Sequence, residues 1–98
     1  MEITKEKLNK YFSTTEEAIN EAGKNLSKAK GVCLNLDQVA KEFLDVAKNY
    51  FDDAKHFHKK GDEVTAFAAL NYAHGWLDAG VKLSLFKVKN TKLFAHAE

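Results

Sequence analysis

The sequence predicts an all-α fold, which we expect to be an up-and-down antiparallel three-helix bundle with a short C-terminal extension. Apolar residues recur at steps of three and four along most of the 98 residues, which is the spacing of one face of a helix. The chain contains no proline, so no such residue interrupts a long helix. Short breaks containing glycine separate the periodic segments, and short connections between long helices favour antiparallel neighbours.

These segments define one domain over residues 1–98. A chain of this length buries only about 60–65% of the surface that its unfolded form exposes, which leaves no room for a second core. We expect helices over about 4–30, 37–60 and 63–86, followed by a tail over 87–98.

The first helix is expected to begin after Thr4, a suitable N-cap residue, and to end at Gly31. Residues 13–16 form a capping-box pattern that offers an alternative break. The apolar stripe keeps its phase across that point, so we favour one continuous helix.

The second helix has an apolar arc of about 160°, which is wide enough to contact two neighbouring helices. Asn35 or Asp37 caps its beginning. Gly61 closes it and Asp62 caps the third helix, so the two helices are expected to form a hairpin.

The third helix is apolar on two sides, whereas a bundle helix needs only one wide apolar face. The second side provides a candidate partner surface, formed by Tyr72, Trp76, Leu83 and Phe86. Three explanations stay open: the first helix packs on this side, the tail folds back over it, or it is exposed to a partner. Large exposed apolar patches mark interaction sites, and Trp and Tyr are common binding hot spots.

Gly75 and Gly80 each cost about 1 kcal/mol relative to alanine inside a helix, so a compensating contact is expected. Together with nearby alanines they form a small-residue surface that allows another helix to approach closely. We expect this packing inside the bundle, with a second subunit or a ligand as the alternative.

A candidate polar site consists of Asn71, His74 and Asp78, on the narrow polar strip of the third helix. His74 and Asp78 stand four residues apart and lie on one face, as a hydrogen-bonded or ionic pair, or as a small binding site. A metal site needs at least three ligands, and His56 and His58 lie too far along the hairpin to complete one. Carboxylates of the other two helices (Asp45, Asp52, Glu17 and Glu21) could come closer. We favour the structural interpretation of the pair, and so we expect no metal, no cofactor and no catalytic residues.

Charge and composition narrow the partner classes. The net charge is +1 and all fifteen basic residues are lysine, so neither a strong field for nucleic acid or membranes nor the planar fork of arginine is present. Nucleic acid and membranes are thus not the expected partners, although lysines in and near the tail (Lys82, Lys87, Lys89 and Lys92) could contact phosphates.

The single cysteine, Cys33, cannot form an internal disulfide, and a reduced, cytoplasmic protein is the simplest interpretation. The polar N-terminus does not resemble a signal peptide, and no apolar run approaches the ~20 residues of a membrane span.

The segment over residues 57–86 contains Gly61-Asp62 and the block Tyr72-Ala-His-Gly-Trp-Leu-Asp-Ala-Gly80. It resembles the archaeal family called domain of unknown function 357. The resemblance implies a small three-helix bundle, an archaeal source and an unassigned biochemical role, and it supplies no catalytic residues.

The sequence therefore favours a non-enzymatic, helical protein–protein interaction module, with a homodimer as one form of this hypothesis. Two alternatives stay open. One is an accessory nucleic-acid binder that uses the lysine-rich tail. The other is a protein that binds a small ligand or a metal at His74 and Asp78.

Overall fold

The computed structural model describes residues 3–26 and 35–95, and in these ranges the fold is all-α. It contains α1 (Lys5–Lys24), α2 (Leu36–Lys59) and α3 (Glu63–Lys82). All three pairs of helices are in contact, and α2 with α3 forms the largest of the three contacts. The predicted three-helix bundle is confirmed. Within the described ranges, no helix combines the length and the apolar character needed to cross a membrane.

Each helix begins at a side-chain cap that satisfies a free backbone N–H group. The Thr4 side chain accepts a hydrogen bond from the Lys7 N–H at 3.1 Å, and Asp62 accepts one from the Thr65 N–H at 3.1 Å. Asn35, rather than Asp37, caps α2. Gly61 takes the left-handed conformation (φ 82°) that closes the α2–α3 hairpin.

The first helix ends at Lys24, and the predicted end near residue 30 is wrong. Asn25 leaves the helix because its backbone pairs with the segment after α3: the Lys87 N–H donates to the Asn25 carbonyl at 2.9 Å. Leu26 and Phe86 form an isolated antiparallel bridge at the same place. The expected loop with Gly31 and Cys33 lies outside the described residues.

The third helix ends at Lys82, four residues before the predicted end at Phe86. Ser84 adopts a left-handed conformation (φ 61°), and the Leu85 N–H donates to the Gly80 carbonyl at 2.8 Å. The Ser84 N–H donates to the Val81 carbonyl, which completes a Schellman motif with serine in the position usually held by glycine. The chain therefore reverses direction here.

The segment after α3 is part of the core, not only an extension of it. Its buried side chains are Leu85, Phe86, Val88, Leu93 and Phe94. The ring of Phe86 lies directly on Gly80, where a side chain would collide with it. Gly80 is therefore a packing residue inside the bundle, as the sequence predicted, and the contact that offsets its helix cost is Phe86.

The two glycines of α3 form a matched pair for a stability test. We expect Gly80→Ala to lower the free energy of unfolding by about 1–3 kcal/mol, because the new Cβ forces Phe86 out of its place. The Cβ added by Gly75→Ala meets no atom within 4 Å, so this substitution should raise the free energy of unfolding by about 0.5–1 kcal/mol through helix propensity. Urea unfolding of both variants at low protein concentration measures the difference. Equal effects of the two substitutions would contradict this account.

Candidate functional site

An open groove of about 580 Å³ runs along α3 and is closed on one side by α2. Its lining contains no charged residue, and its polar side-chain groups are the Asn71 amide, the Tyr72 hydroxyl and the Trp76 indole N–H. The residues that line it are Phe43, Ala68, Asn71, Tyr72, Gly75, Trp76, Ala79 and Leu83. We call this feature the α3 groove.

The rings of the groove are held in place by α2. Trp76 packs edge-to-face against Phe43, with ring centroids 4.9 Å apart. Tyr72 stacks on Tyr50 at 5.2 Å with an angle of 20° between the rings. Such contacts are worth about 0.5–1.5 kcal/mol beyond the area that they bury. Both aromatic side chains of the groove wall are thus packed against α2.

The floor of the α3 groove consists of small residues. Ala68, Gly75 and Ala79 are exposed, and a Cβ added at Gly75 would meet no atom within 4 Å. Around this floor Tyr72 is 62% exposed and Leu83 is 61% exposed, while Trp76 is half-buried. Small residues between large ones leave a channel in which a second helix can approach closely.

Three residues of the predicted partner surface, Tyr72, Trp76 and Leu83, lie together at the groove. The fourth, Phe86, was predicted wrongly: it is 2% exposed, because the reversal at Ser84 turns it under the end of α3. The first helix contacts α3 on another face, where Tyr11 meets Phe67. Since Tyr72 and Leu83 stay exposed, neither α1 nor the described part of the tail covers this surface.

His74 and Asp78 hold the fold together through separate partners. His74 Nε2 lies 2.7 Å from the hydroxyl oxygen of Thr15, which is fully buried on α1. The Asp78 carboxylate accepts a hydrogen bond from the Ala95 N–H at 3.0 Å and so ties the tail to α3. Burial lowers the pKa of His74, and the nearby charge of Asp78 partly opposes this shift.

Asn71, the third residue of the candidate polar site, is exposed between two cavities. It lines the α3 groove and also a polar pocket of about 470 Å³. The polar pocket is bounded by α1, α3 and the tail; besides Asn71 it is lined by Lys10, Tyr11, Thr14, His74, Asp78, Thr91, Lys92, Leu93, Phe94 and Ala95. Over residues 3–26 and 35–95, no three His, Cys, Asp or Glu side chains are grouped as a metal would require.

The sequence did not identify two groups of residues that shape these cavities. Phe43 and Tyr50 belong to the wide apolar arc of α2, and no local feature of the sequence shows that they support Trp76 and Tyr72. Thr15 occupies one position in the apolar stripe of α1. A Thr within an otherwise apolar stripe was the one available sign of a buried polar contact.

A family model described as "Protein of unknown function (DUF357)" matches residues 10–86. The matched range includes most of α1, all of α2 and α3, and every residue that lines the α3 groove. The description assigns no activity, ligand or partner. Comparisons with curated proteins and with solved structures found no match.

The lowered pKa of His74 gives the fold a pH dependence with a defined sign. Below about pH 6.5 the unfolded chain binds a proton at this position more readily than the folded chain does. The contribution of neutral His74 to the free energy of unfolding should therefore be fully present above pH 6.5 and be lost as the pH drops through the folded-state pKa. We expect His74→Gln to remove this part of the dependence, as measured by urea unfolding between pH 7.5 and pH 4.5. Asp62 does not contribute to the pH dependence in this window. Hydrogen bonds from Thr65 lower its pKa from 3.8, so it titrates below pH 4.5. Parallel pH profiles for the two proteins would contradict the assignment.

Proposed function

The chain belongs to the DUF357 family, and from its geometry we propose that it is a non-enzymatic interaction module that binds an apolar helix in the α3 groove. The observation that carries the proposal is the combination of an uncharged lining with exposed large side chains. Tyr72 and Leu83 are each more than three-fifths exposed, although neither is polar enough to require solvent. Exposed apolar patches of this kind are typical of interaction sites.

The shape of the groove favours a helix as the bound element. From Ala68 to Leu83 the groove follows α3 for about 22 Å, at 1.5 Å per residue, which corresponds to about four helical turns. The small floor at Gly75 and Ala79 permits an interaxial distance near the lower end of the usual ~8–10 Å range. Amphipathic helices bind such grooves through residues spaced at three and four positions.

Rigid aromatic side chains support the same proposal. Trp76 and Tyr72 are already packed against Phe43 and Tyr50, so binding would cost little side-chain entropy. Trp and Tyr are also the residues that most often carry binding energy.

The non-enzymatic part of the proposal rests on how the polar groups are used. His74 bonds to Thr15 and Asp78 bonds to Ala95, so the two titratable side chains of the candidate polar site have structural partners. The cytoplasmic location and the archaeal source expected from the sequence stay predictions. Nucleic-acid binding through the lysine-rich tail and small-ligand or metal binding at His74 and Asp78 stay alternatives.

A selection for helical peptides tests the proposal directly. A displayed library of amphipathic helical peptides of about 18 residues, selected on this protein, should yield binders with Kd values of about 1–100 µM. Their binding should change the fluorescence of Trp76, the only tryptophan. Gly75→Lys should abolish peptide binding, because the lysine side chain fills an open position on the groove floor.

The matched control is Asn20→Lys, which adds the same charge at an exposed position on α1. Circular dichroism establishes that both variants are folded. Peptides that bind Gly75→Lys as well as the wild type would rule out the groove as a helix-binding site, and a selection that gives no binder would rule out a foreign helix as its occupant.

A further inference from the structure

We infer that the helix bound in the α3 groove is α3 of a second copy of this chain, in an antiparallel dimer with a two-fold axis between Gly75 and Trp76. This inference rests on the proposed function, because it uses the same groove. A two-fold interface must be complementary to itself: when one residue contacts a second, the second also contacts the first across the axis. The lining of the groove meets this condition.

Large and small residues alternate around one centre on α3. In an antiparallel pair centred between Gly75 and Trp76, Leu83 faces Ala68 of the other copy, Tyr72 faces Ala79, and Trp76 faces Gly75. Each pair contains one large side chain and one small one. All six residues line the groove, and only Asn71 among the α3 lining residues falls outside the pattern.

This pairing places protruding groups into open positions. Tyr72 and Leu83 are the side chains that protrude, at 62% and 61% exposure. Ala68, Gly75 and Ala79 are exposed and leave space above the floor. Protein interfaces reach interior packing density at their centres, which requires this kind of large-to-small match. A foreign helix would need to supply the same sequence of sizes, whereas a second α3 already has it.

Charge at the two ends of α3 favours the same arrangement. Asp62 and Glu63 mark its N-terminal end, and Lys82 lies in its last turn. In this register Lys82 of one copy lies across from Ala69 of the other, about 9 Å along the axis from Glu63, so the unlike charges attract only over some distance, while the two helix dipoles oppose each other. A parallel pair would bring like charges together. These exposed charges add little energy and mainly select the direction of the partner helix.

The size of the contact predicts a weak dimer. About 22 Å of one helix, flanked by Phe43 and Tyr50, falls at the small end of specific interfaces. We therefore expect a dissociation constant of about 10–100 µM, so that dimers form only at high concentration.

Light scattering between about 1 µM and 1 mM should show the mass rising from that of one chain toward that of two. Gly75→Lys should raise the dissociation constant of the dimer at least ten-fold, because it places two positively charged lysine side chains beside the two-fold axis. Asn20→Lys should dimerise like the wild type. A wild-type protein that stays monomeric to about 1 mM would overturn the inference, and so would a dimer insensitive to Gly75→Lys.

Exchanging the two members of a facing pair tests the register. Leu83→Ala should raise the dissociation constant of the dimer about ten-fold. Adding Ala68→Leu should restore the wild-type value, because each facing pair then again contains one leucine and one alanine, with their positions exchanged. Adding Ala79→Leu to Leu83→Ala should not restore it, since Ala79 faces Tyr72. Circular dichroism shows whether each variant is folded. Equal restoration by Ala68→Leu and Ala79→Leu, or restoration by neither, would overturn this register.

The peptide selection separates this inference from the proposed function. Selected peptides that bind the α3 groove of a strictly monomeric protein would leave the proposed function standing and remove the homodimer. A groove that binds neither peptides nor a second copy would remove both.

Discussion

The contact between the ring of Phe86 and the backbone of Gly80 is the constraint on which the rest of the structure depends. It requires α3 to stop at Lys82 and the chain to reverse through Ser84. The reversal carries five apolar side chains back into the core, and it places Lys87 where its N–H can bond to Asn25 at the end of α1. Two helix ends and the path of the tail thus follow from one glycine without a side chain.

The faces of α3 are divided as a result. One face packs on α2, a second contacts α1 through Phe67 and through His74, and the tail is tied to the strip that contains Asp78. These three neighbours account for the polar strip and for the first apolar face. The face with Tyr72, Gly75 and Leu83 is left with no neighbour among the described residues except the edge of α2. The α3 groove is therefore what remains after the core is complete.

Much of the fold could be predicted because its signals are local. Helical periodicity and the caps at Thr4 and Asp62 depend on residues within one or two turns, and the structure follows them. The ends of α1 and α3 could not be predicted, because they depend on the pairing of Leu26 with Phe86, sixty residues apart in the sequence. Phe86 continues the apolar spacing of α3, so periodicity alone could not show that the helix had already ended. Gly75 and Gly80 also cannot be distinguished by periodicity. They differ in the structure because the ring of Phe86 lies on Gly80, whereas the space beside Gly75 is open.

The tight turn at Gly61 has a consequence for how the chain folds. It joins the two helices that share the largest contact, so the most extensive packing among the three helices is also the packing between the two helices closest in sequence. Closing so short a connection costs little chain entropy, and contacts of this kind form early in small helical proteins. The α2–α3 hairpin is thus suited to act as the folding nucleus, on which α1 and the returning tail dock later. If folding follows this order, substitutions in the tail change mainly the unfolding rate, while substitutions in the α2–α3 hairpin change mainly the folding rate.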